Sequence, residues 1–231
     1  MAGSHCGVAK RASIVMVQAN RGTELGIETM VDAFARIYED VKTRGLGKKA
    51  VLSISGCCEA LQNPEYYRAI LFVMRALLKG LTDLRVVCVI AAGNNGKKEI
   101  AHLLAVLGAV IPELIVVGGA FLNGTLDPRC QTAFFVKITA LSEGVVWPGY
   151  DVSGDLRIPA WSIGAGGTST ATASVALQVA IFLSTGVATE QAREFLFTRA
   201  YSRAEGGPKV VWNGVDFRTL PDTVTAKSCR R

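Results

Sequence analysis

Strand-like and helix-like segments alternate along most of the 231 residues, and this alternation is what most constrains the fold. Short β-branched runs bounded by turn residues predict strands, and longer segments with apolar residues at helical spacing predict helices. We predict strands at 13–18, 50–55, 86–91, 114–118 and 133–139, and helices at 26–42, 64–79, 169–184 and 190–201. This order is typical of an α/β fold in three layers, with helices on both faces of a mainly parallel sheet. Because half of the residues are apolar, we expect one domain over residues 1–231.

Composition excludes several classes of partner. No uninterrupted apolar run reaches the roughly 18 residues that a membrane span needs, because Pro112, Glu113, Asn123 and Gln178 break the longest candidates. The net charge of +6 is scattered in short basic clusters without interleaved aromatic residues, so we predict no nucleic-acid partner. The residues after Met1 lack the charged and apolar regions of a signal peptide in the right order.

The metal-ligating residue types are spread along the chain. The six cysteines form no Cys-x-x-Cys spacing, so the sequence predicts no zinc site. Cys88 lies within a predicted strand, where it packs as a small hydrophobic residue. Of the two histidines, we expect His5 in a solvated loop and His102 exposed or at an interface, in a short helix over 98–104. Asp32 fits the polar side of an amphipathic helix.

A glycine-rich segment over 164–167 leads into Thr168 and Ser169, and an apolar helical run follows at 175–183. This order places a serine hydroxyl at a helix N-terminus, where free backbone N–H groups and the helix dipole favour a nearby oxyanion. Ser169 is therefore the candidate nucleophile. Two alternatives remain: the hydroxyl groups serve as an ordinary N-cap, or the glycines cradle a phosphate although the Gly-Lys-Ser/Thr ending of a P-loop is missing.

A second segment supplies a candidate partner for the serine. The apolar strand that begins near Arg85 ends in Ala91, Ala92, Gly93 and Asn94. Ligands bind beyond the carboxyl ends of the strands in open α/β sheets. The end of this strand therefore presents the Asn94 amide where a ligand would bind.

Together, Ala91-Ala92-Gly93-Asn94 and Gly167-Thr168-Ser169 resemble the two corresponding motifs of the subtilisin-like serine proteases, the subtilases of peptidase family S8. Three more segments match in the family's order, at 7–14, 50–56 and 112–120, and the first is most similar to the fungal proteinase K branch. The resemblance covers roughly residues 3–183 and, more loosely, the region to about 216.

The resemblance implies a serine endopeptidase that acts through an acyl-enzyme on a peptide or protein substrate. Ser169 would attack the scissile carbonyl, and the Asn94 amide with the Ser169 N–H would hold the oxyanion. The residues implied to line the substrate cleft are Ser55, Gly56, Ala92, Gly93 and Thr168. The family further implies secretion, a propeptide and no cofactor apart from structural calcium at a site we do not map. Secretion would allow Cys130 and Cys229 or Cys6 to join disulfides, whose connectivity the sequence leaves open.

The sequence also departs from the family pattern. The match begins just after the family's His-Gly-Thr-His helix, so the triad aspartate and histidine would lie before Met1 and the chain corresponds to the C-terminal two-thirds of the domain. We therefore expect little activity from this chain alone and an unpaired edge in its sheet. The alternative is a peptide-binding pseudo-protease. Cys57 and Cys58 stand where the cleft loop has glycine, and the positions of the family's methionine, proline, histidine and last glycine hold Thr170, Ala173, Ser174 and Leu177.

Overall fold

The computed structural model describes residues 9, 12–19, 26–56, 63–96, 100, 102–144, 146–149, 160–163 and 166–211. Four α-helices lie in these ranges: α1 (Ile27–Thr43), α2 (Pro64–Asp83), α3 (Thr168–Ser184) and α4 (Thr189–Arg199). The strands are β1 (Val51–Ile54), β2 (Val87–Ala91), β3 (Ile115–Ala120), β4 (Ile138–Leu141), β5 (Val146–Gly149), β6 (Ala160–Ile163), β7 (Tyr201–Ser202) and β8 (Lys209–Val210). A 3-10 helix spans Ala105–Ala109.

The main sheet has the strand order β1-β2-β3-β4-β8-β7, and all neighbours from β1 to β8 are parallel. The pairs β7 with β8 and β5 with β6 are antiparallel. All residues of β2 and β3 are buried, as expected for parallel strands covered on both faces. This arrangement confirms the predicted α/β class with a mainly parallel sheet.

Two apolar cores lie on opposite faces of this sheet, and β2 contributes to both. Cys88 and Ile90 pack with the buried residues of α1 and α2, whereas Val87 and Val89 pack with those of α3 and α4. Because successive side chains of a strand point to opposite faces, this division follows from the period of two along β2. The result is a three-layer domain in which α3 lies across β1, β2, β3 and β4.

The start of α2 carries a clear sequence signal. At the start of α2, the Asn63 side chain accepts hydrogen bonds from the backbone N–H groups of Glu65 and Tyr66, and Pro64 occupies the first turn. This is the expected chemistry of an N-cap followed by proline. None of the described helices is long and apolar enough to cross a membrane.

The structure corrects several predicted elements. Residues 13–18 form no strand, and the predicted strand at 133–139 is replaced by β4, which begins at Ile138 where β3 pairs with it. A short helix was predicted at 98–104. In the structure residues 102–104 are not helical, and a 3-10 helix begins only at Ala105. Strands β5 to β8 were not predicted, because segments of two to four residues carry too little pattern. The loop before Ser169 follows β6, although its sequence does not read as a clear strand.

Strand β1 is an edge strand of the sheet that the structure describes. In the segment before α1, four apolar residues expose between 46% and 91% of their surface, so the apolar pattern of this segment does not reflect burial: Ile14, Val15, Met16 and Val17. An unpaired edge and an exposed apolar run are both features that favour association between chains.

We expect Met16→Lys to reduce self-association without a measurable change in the free energy of unfolding. The Met16 side chain is 91% exposed, so its replacement should alter stability by no more than about 0.5 kcal/mol, while the added charge opposes contact between apolar surfaces. Sedimentation velocity and urea unfolding measure the two quantities. Met16→Leu, which keeps the apolar surface, is the control and should associate like the parent protein.

The Cys88 thiol lies at the centre of the buried strand β2 and is fully inaccessible. Burial raises the pKa of Cys88 to about 12, because a thiolate in this apolar environment would lose its hydration. The thiol should therefore be protonated and unreactive at neutral pH.

We expect iodoacetamide to leave Cys88 unmodified in the folded protein at pH 8, whereas it should alkylate Cys88 rapidly in guanidinium chloride. Peptide mass mapping reports Cys88 separately from the other cysteines. Because the folded pKa is raised, the thiol should also make the protein less stable as the pH rises above about 8.5, the unfolded value. Rapid native alkylation at the same rate as in denaturant would contradict the burial.

Candidate functional site

Ser169 is the second residue of α3, and two glycines, Gly166 and Gly167, directly precede this helix. The glycines allow the backbone to approach neighbouring segments closely. Gly167 has a φ of 118° and a ψ of −171°, a conformation that is essentially restricted to glycine. A Cβ at Gly166 would lie 2.1 Å from the carbonyl oxygen of Ser142, and the N–H of Gly167 donates to that same oxygen. The glycines are therefore required by backbone geometry at the start of α3.

Asn94 reaches the start of α3 from the carboxyl end of β2. Its Oδ1 accepts a hydrogen bond of 2.8 Å from the backbone N–H of Thr168 and one of 3.1 Å from the Thr168 hydroxyl. Because Oδ1 accepts both bonds, the two N–H donors on Nδ2 remain for other partners. The structure thus brings Asn94 into contact with Thr168, the residue before Ser169, with the amide oxygen bound to the helix and the amide nitrogen as its donor end.

The Thr168 hydroxyl connects the two segments. It is buried, accepts a hydrogen bond of 3.2 Å from the N–H of Gly93, and donates to Asn94 Oδ1. One side chain therefore holds both the backbone of the β2 turn and the amide that follows it. Thr168 was predicted to line the cleft, and its observed contacts are with Gly93 and Asn94.

Ser169 and Ser55 are joined by two reciprocal hydrogen bonds. The Ser169 hydroxyl donates to the carbonyl oxygen of Ser55, the Ser55 hydroxyl donates to the carbonyl oxygen of Ser169, and both distances are 3.1 Å. The cap position of α3 is held by Gly167, and Asn94 satisfies the first helix N–H. The interpretation of Ser169 as an ordinary N-cap is therefore wrong.

The remaining residues predicted for the cleft surround this contact. Gly56 follows Ser55 at the end of β1, while Ala92 and Gly93 are buried at the end of β2. Cys57 and Cys58, which stand where the family's cleft loop has glycine, lie outside the described residues, as does His5. The described part of the chain contains no group of three or more His, Cys, Asp or Glu side chains that would hold a metal ion.

His102 is buried, in contrast to the exposed or interfacial position predicted for it. Its imidazole lies against Gly93: a Cβ built on that glycine would lie 2.0 Å from Cδ2 and 2.2 Å from Nε2 of His102. The side chain of Gln131 is also buried, and its Oε1 would lie 2.1 Å from the same Cβ position. These two side chains behind the β2 turn were missed, since no sequence pattern connects them to Gly93.

The loop from Asp127 to Gln131 was also missed. The buried carboxylate of Asp127 accepts hydrogen bonds from the backbone N–H, Nε and Nη2 of Arg129, with distances of 2.9, 3.0 and 2.7 Å. Burial alone would raise the pKa of Asp127, but hydrogen bonds from Arg129 and Ser142 outweigh burial and lower it. The only advance signal is Asp-Pro, a common start for a turn.

Asp127→Asn should remove part of the acid sensitivity of the fold. Because the folded pKa of Asp127 is lowered, its stabilising effect is complete above the unfolded pKa of about 3.9 and is lost as the pH falls through the lower folded value. We expect the variant to have a flatter curve of stability against pH below about pH 4. Urea unfolding from pH 2 to pH 6 measures this curve.

Asp32→Asn is the matched control for this experiment, since Asp32 pairs with Arg36 on the surface of α1 with both side chains well exposed. Its curve should follow that of the parent protein. If both variants gave the same curve, the Asp127 contacts would not contribute to stability.

Cys130 was predicted to join a disulfide. In the structure it is a buried free thiol that accepts a hydrogen bond of 3.2 Å from the N–H of Gly119. Its own S–H donates to the carbonyl oxygen of Gln131 at 3.2 Å. The disulfide prediction is wrong for Cys130 because the thiol is enclosed by its own loop and β3; Cys6 and Cys229 lie outside the described residues.

The start of α3 also bears on the phosphate-cradle alternative. Its first backbone N–H, that of Thr168, is occupied by Asn94 Oδ1, and the hydroxyl of Ser169 is bound to Ser55, the residue after β1. Free N–H groups at the helix N-terminus are what a phosphate loop supplies. The Asn94 side chain therefore takes up one of the N–H groups that a phosphate would need.

The fold is similar to that of solved proteases. A cold-adapted subtilisin-like serine proteinase is 18% identical, with a TM-score of 0.69, over 93% of this chain and 72% of the proteinase. The prenylagaramide maturation protease PagA is 17% identical, with a TM-score of 0.59, over 90% and 73% of the two chains. The self-cleaved protease domain of PatA is 18% identical, with a TM-score of 0.63, over 90% and 73%.

These similarities establish a subtilisin-like fold for the chain. Neither a model of a protein family nor a curated protein matches the sequence. A proposal about function therefore draws on two observations, the structural similarity and the hydrogen bonds of Asn94 and Ser169.

Proposed function

We propose that the chain carries the nucleophile and the oxyanion donors of a subtilase-type serine endopeptidase. The observation that supports this most directly is the pair of hydrogen bonds from Thr168 to Asn94 Oδ1, which holds Asn94 against the residue before Ser169 and leaves the Nδ2 groups as donors. In this proposal Ser169 Oγ attacks the scissile carbonyl carbon, and Asn94 with the Ser169 N–H stabilises the oxyanion. Within the family, segment 7–14 favours the proteinase K branch.

The nucleophile needs a base, because a serine hydroxyl is a weak nucleophile at its free pKa. In this structure the Ser169 hydroxyl donates a hydrogen bond to the carbonyl oxygen of Ser55. A carbonyl oxygen is too weak a base to remove the proton at neutral pH. Loss of one triad member lowers turnover by roughly 10⁶. We therefore propose that the chain alone hydrolyses peptides very slowly, and that a base added in solution increases the reactivity of Ser169.

A fluorophosphonate probe tests this proposal. We expect slow phosphonylation, mapped to Ser169 by peptide mass spectrometry, and a faster reaction when imidazole replaces Tris at the same pH and ionic strength. Ser169→Ala should abolish the adduct, and Ser174→Ala, a serine further along α3, should retain it. An adduct on other residues only, or no reaction at any imidazole concentration, would refute a nucleophilic role for Ser169.

The alternative function is peptide binding without catalysis. It is favoured by the reciprocal bonds between Ser55 and Ser169, which engage the hydroxyl, and by the open edge of β1, to which an extended peptide can add as a strand. Fluorescence anisotropy with labelled extended peptides, compared between the parent protein and Ser169→Ala, separates the two. Binding by both proteins without any phosphonylation would favour the binding module.

A further inference from the structure

The turn after β2 is held from behind by the Asp127–Gln131 loop. The N–H of Gln131 donates to the carbonyl oxygen of Gly93 at 3.1 Å, and the N–H of Gly96 donates to the carbonyl oxygen of Arg129 at 2.7 Å. The carboxylate of Asp127 in turn fixes Arg129 through its backbone and its guanidinium group. Both ends of the turn that carries Asn94 are therefore attached to one internally bonded loop.

Behind Gly93 the contact is made by side chains. The space that a Cβ would occupy is filled by the His102 imidazole and the Gln131 amide, both within 2.2 Å of the ideal Cβ position. Gly93 also has a φ of 113°, which L-residues rarely adopt. The backbone at Gly93 thus rests directly on two buried polar side chains and has no room to move toward them.

In front of Gly93 the contact is made by Thr168. Its hydroxyl accepts from the Gly93 N–H, and its backbone N–H donates to the side chain of the next residue, Asn94. Gly93 is consequently clamped between the His102–Gln131 pair and the start of α3. A shift of Gly93 in either direction would carry the Asn94 amide with it.

We propose that His102 and Gln131 are positioning residues, which set the direction of the Asn94 amide by fixing Gly93 from behind. This inference rests on the proposed function in one respect, because the amide matters for reactivity only if Asn94 is an oxyanion donor. The clamp itself is a property of the fold. Removal of the Gln131 side chain leaves space behind Gly93, so the turn can retreat and the Asn94 contact with Thr168 weakens.

Hydrogen exchange of the Thr168 backbone amide tests the clamp directly, since that N–H is buried and its acceptor is Asn94 Oδ1. We expect Gln131→Ala to accelerate exchange at Thr168 by about tenfold or more, while amides in the middle of α3 keep their relative protection. Gln178→Ala is the matched control: it removes the same side chain from another buried position, nine residues beyond Ser169 on α3. It should leave the relative protection of Thr168 unchanged.

A milder variant keeps the test valid if Gln131→Ala does not fold. Gln131→Asn shortens the same amide by one methylene and should accelerate Thr168 exchange by a smaller factor in the same direction. Unchanged exchange at Thr168 in the folded Gln131 variants, or equal acceleration in Gln178→Ala, would overturn the proposal.

Phosphonylation of Ser169 in imidazole buffer is the second readout. If Asn94 is an oxyanion donor, Gln131→Ala should slow this reaction by about tenfold, and Gln178→Ala should not. If the parent protein is not phosphonylated at all, the proposed function fails, but the exchange of Thr168 still decides whether the Gln131 side chain behind Gly93 positions the turn.

Discussion

Replacing Gly167 by alanine is expected to lower the free energy of unfolding by about 3–5 kcal/mol, the largest loss of stability that we predict for one added methyl group. Two costs combine. A φ of 118° strains any L-residue, and the new Cβ would lie 2.8 Å from Asn94 Oδ1 and 3.1 Å from Nδ2. Relief of this overlap requires Asn94 to move away from the Thr168 N–H, which loses the hydrogen bonds that hold it. Urea unfolding measures the total effect.

Gly186 is a matched control because it has a φ of 93° and no atom within 4 Å of an added Cβ. Gly186→Ala therefore carries the conformational cost alone, about 1–2 kcal/mol. The difference between the two variants measures the overlap with Asn94. Equal losses in both variants would show that Asn94 does not lie against Gly167 in solution.

Much of the fold was predictable, because the apolar residues of the central strands and the long helices follow patterns that each fit only one kind of burial. The continuous apolar runs of β2 and β3 suit strands covered on both faces, and both are fully buried. The start of α2 is encoded by Asn63 and Pro64. The starts of α1, β1, α3 and α4 lie within one residue of the prediction.

The errors occurred where apolar residues do not indicate burial. Residues 13–18 have the composition of a strand, but composition does not reveal whether a partner strand is present, and Met16 is almost fully exposed. Phe134 similarly suggested a strand, yet it is 78% exposed, and the register with β3 places the start of β4 at Ile138. A strand requires hydrogen-bonded neighbours, which the sequence of one segment does not specify.

The two halves of the candidate site were predicted on different grounds. Asn94 was expected where ligands bind because it follows the carboxyl end of a parallel strand, Ser169 was expected at the N-terminus of a helix, and the resemblance to the subtilases joined the two. The supporting residues were not found. His102 and Gln131 reach Gly93 through loops distant from it in sequence, and such contacts depend on the path of each loop and not on residue type.

The second large effect concerns Asn94 itself, and Asn94→Asp isolates its role as a donor. Aspartate has nearly the same shape and still accepts hydrogen bonds from the Thr168 N–H and hydroxyl, so the contact seen here can persist. It offers no N–H group, and its negative charge opposes an oxyanion. We therefore expect the imidazole-supported phosphonylation of Ser169 to slow by roughly 10²–10³ while the protein remains folded.

Asn95→Asp controls for the added charge, because it makes the same substitution at the adjacent exposed residue of the turn. Repulsion between an exposed carboxylate and an oxyanion is screened by salt over about 10 Å at 0.1 M ionic strength, so this variant should slow the reaction only slightly, and less at higher salt. Loss of the donor, by contrast, is independent of salt. A rate for Asn94→Asp that recovers with salt to that of the parent protein would therefore identify charge repulsion as the cause and exclude Asn94 as an oxyanion donor.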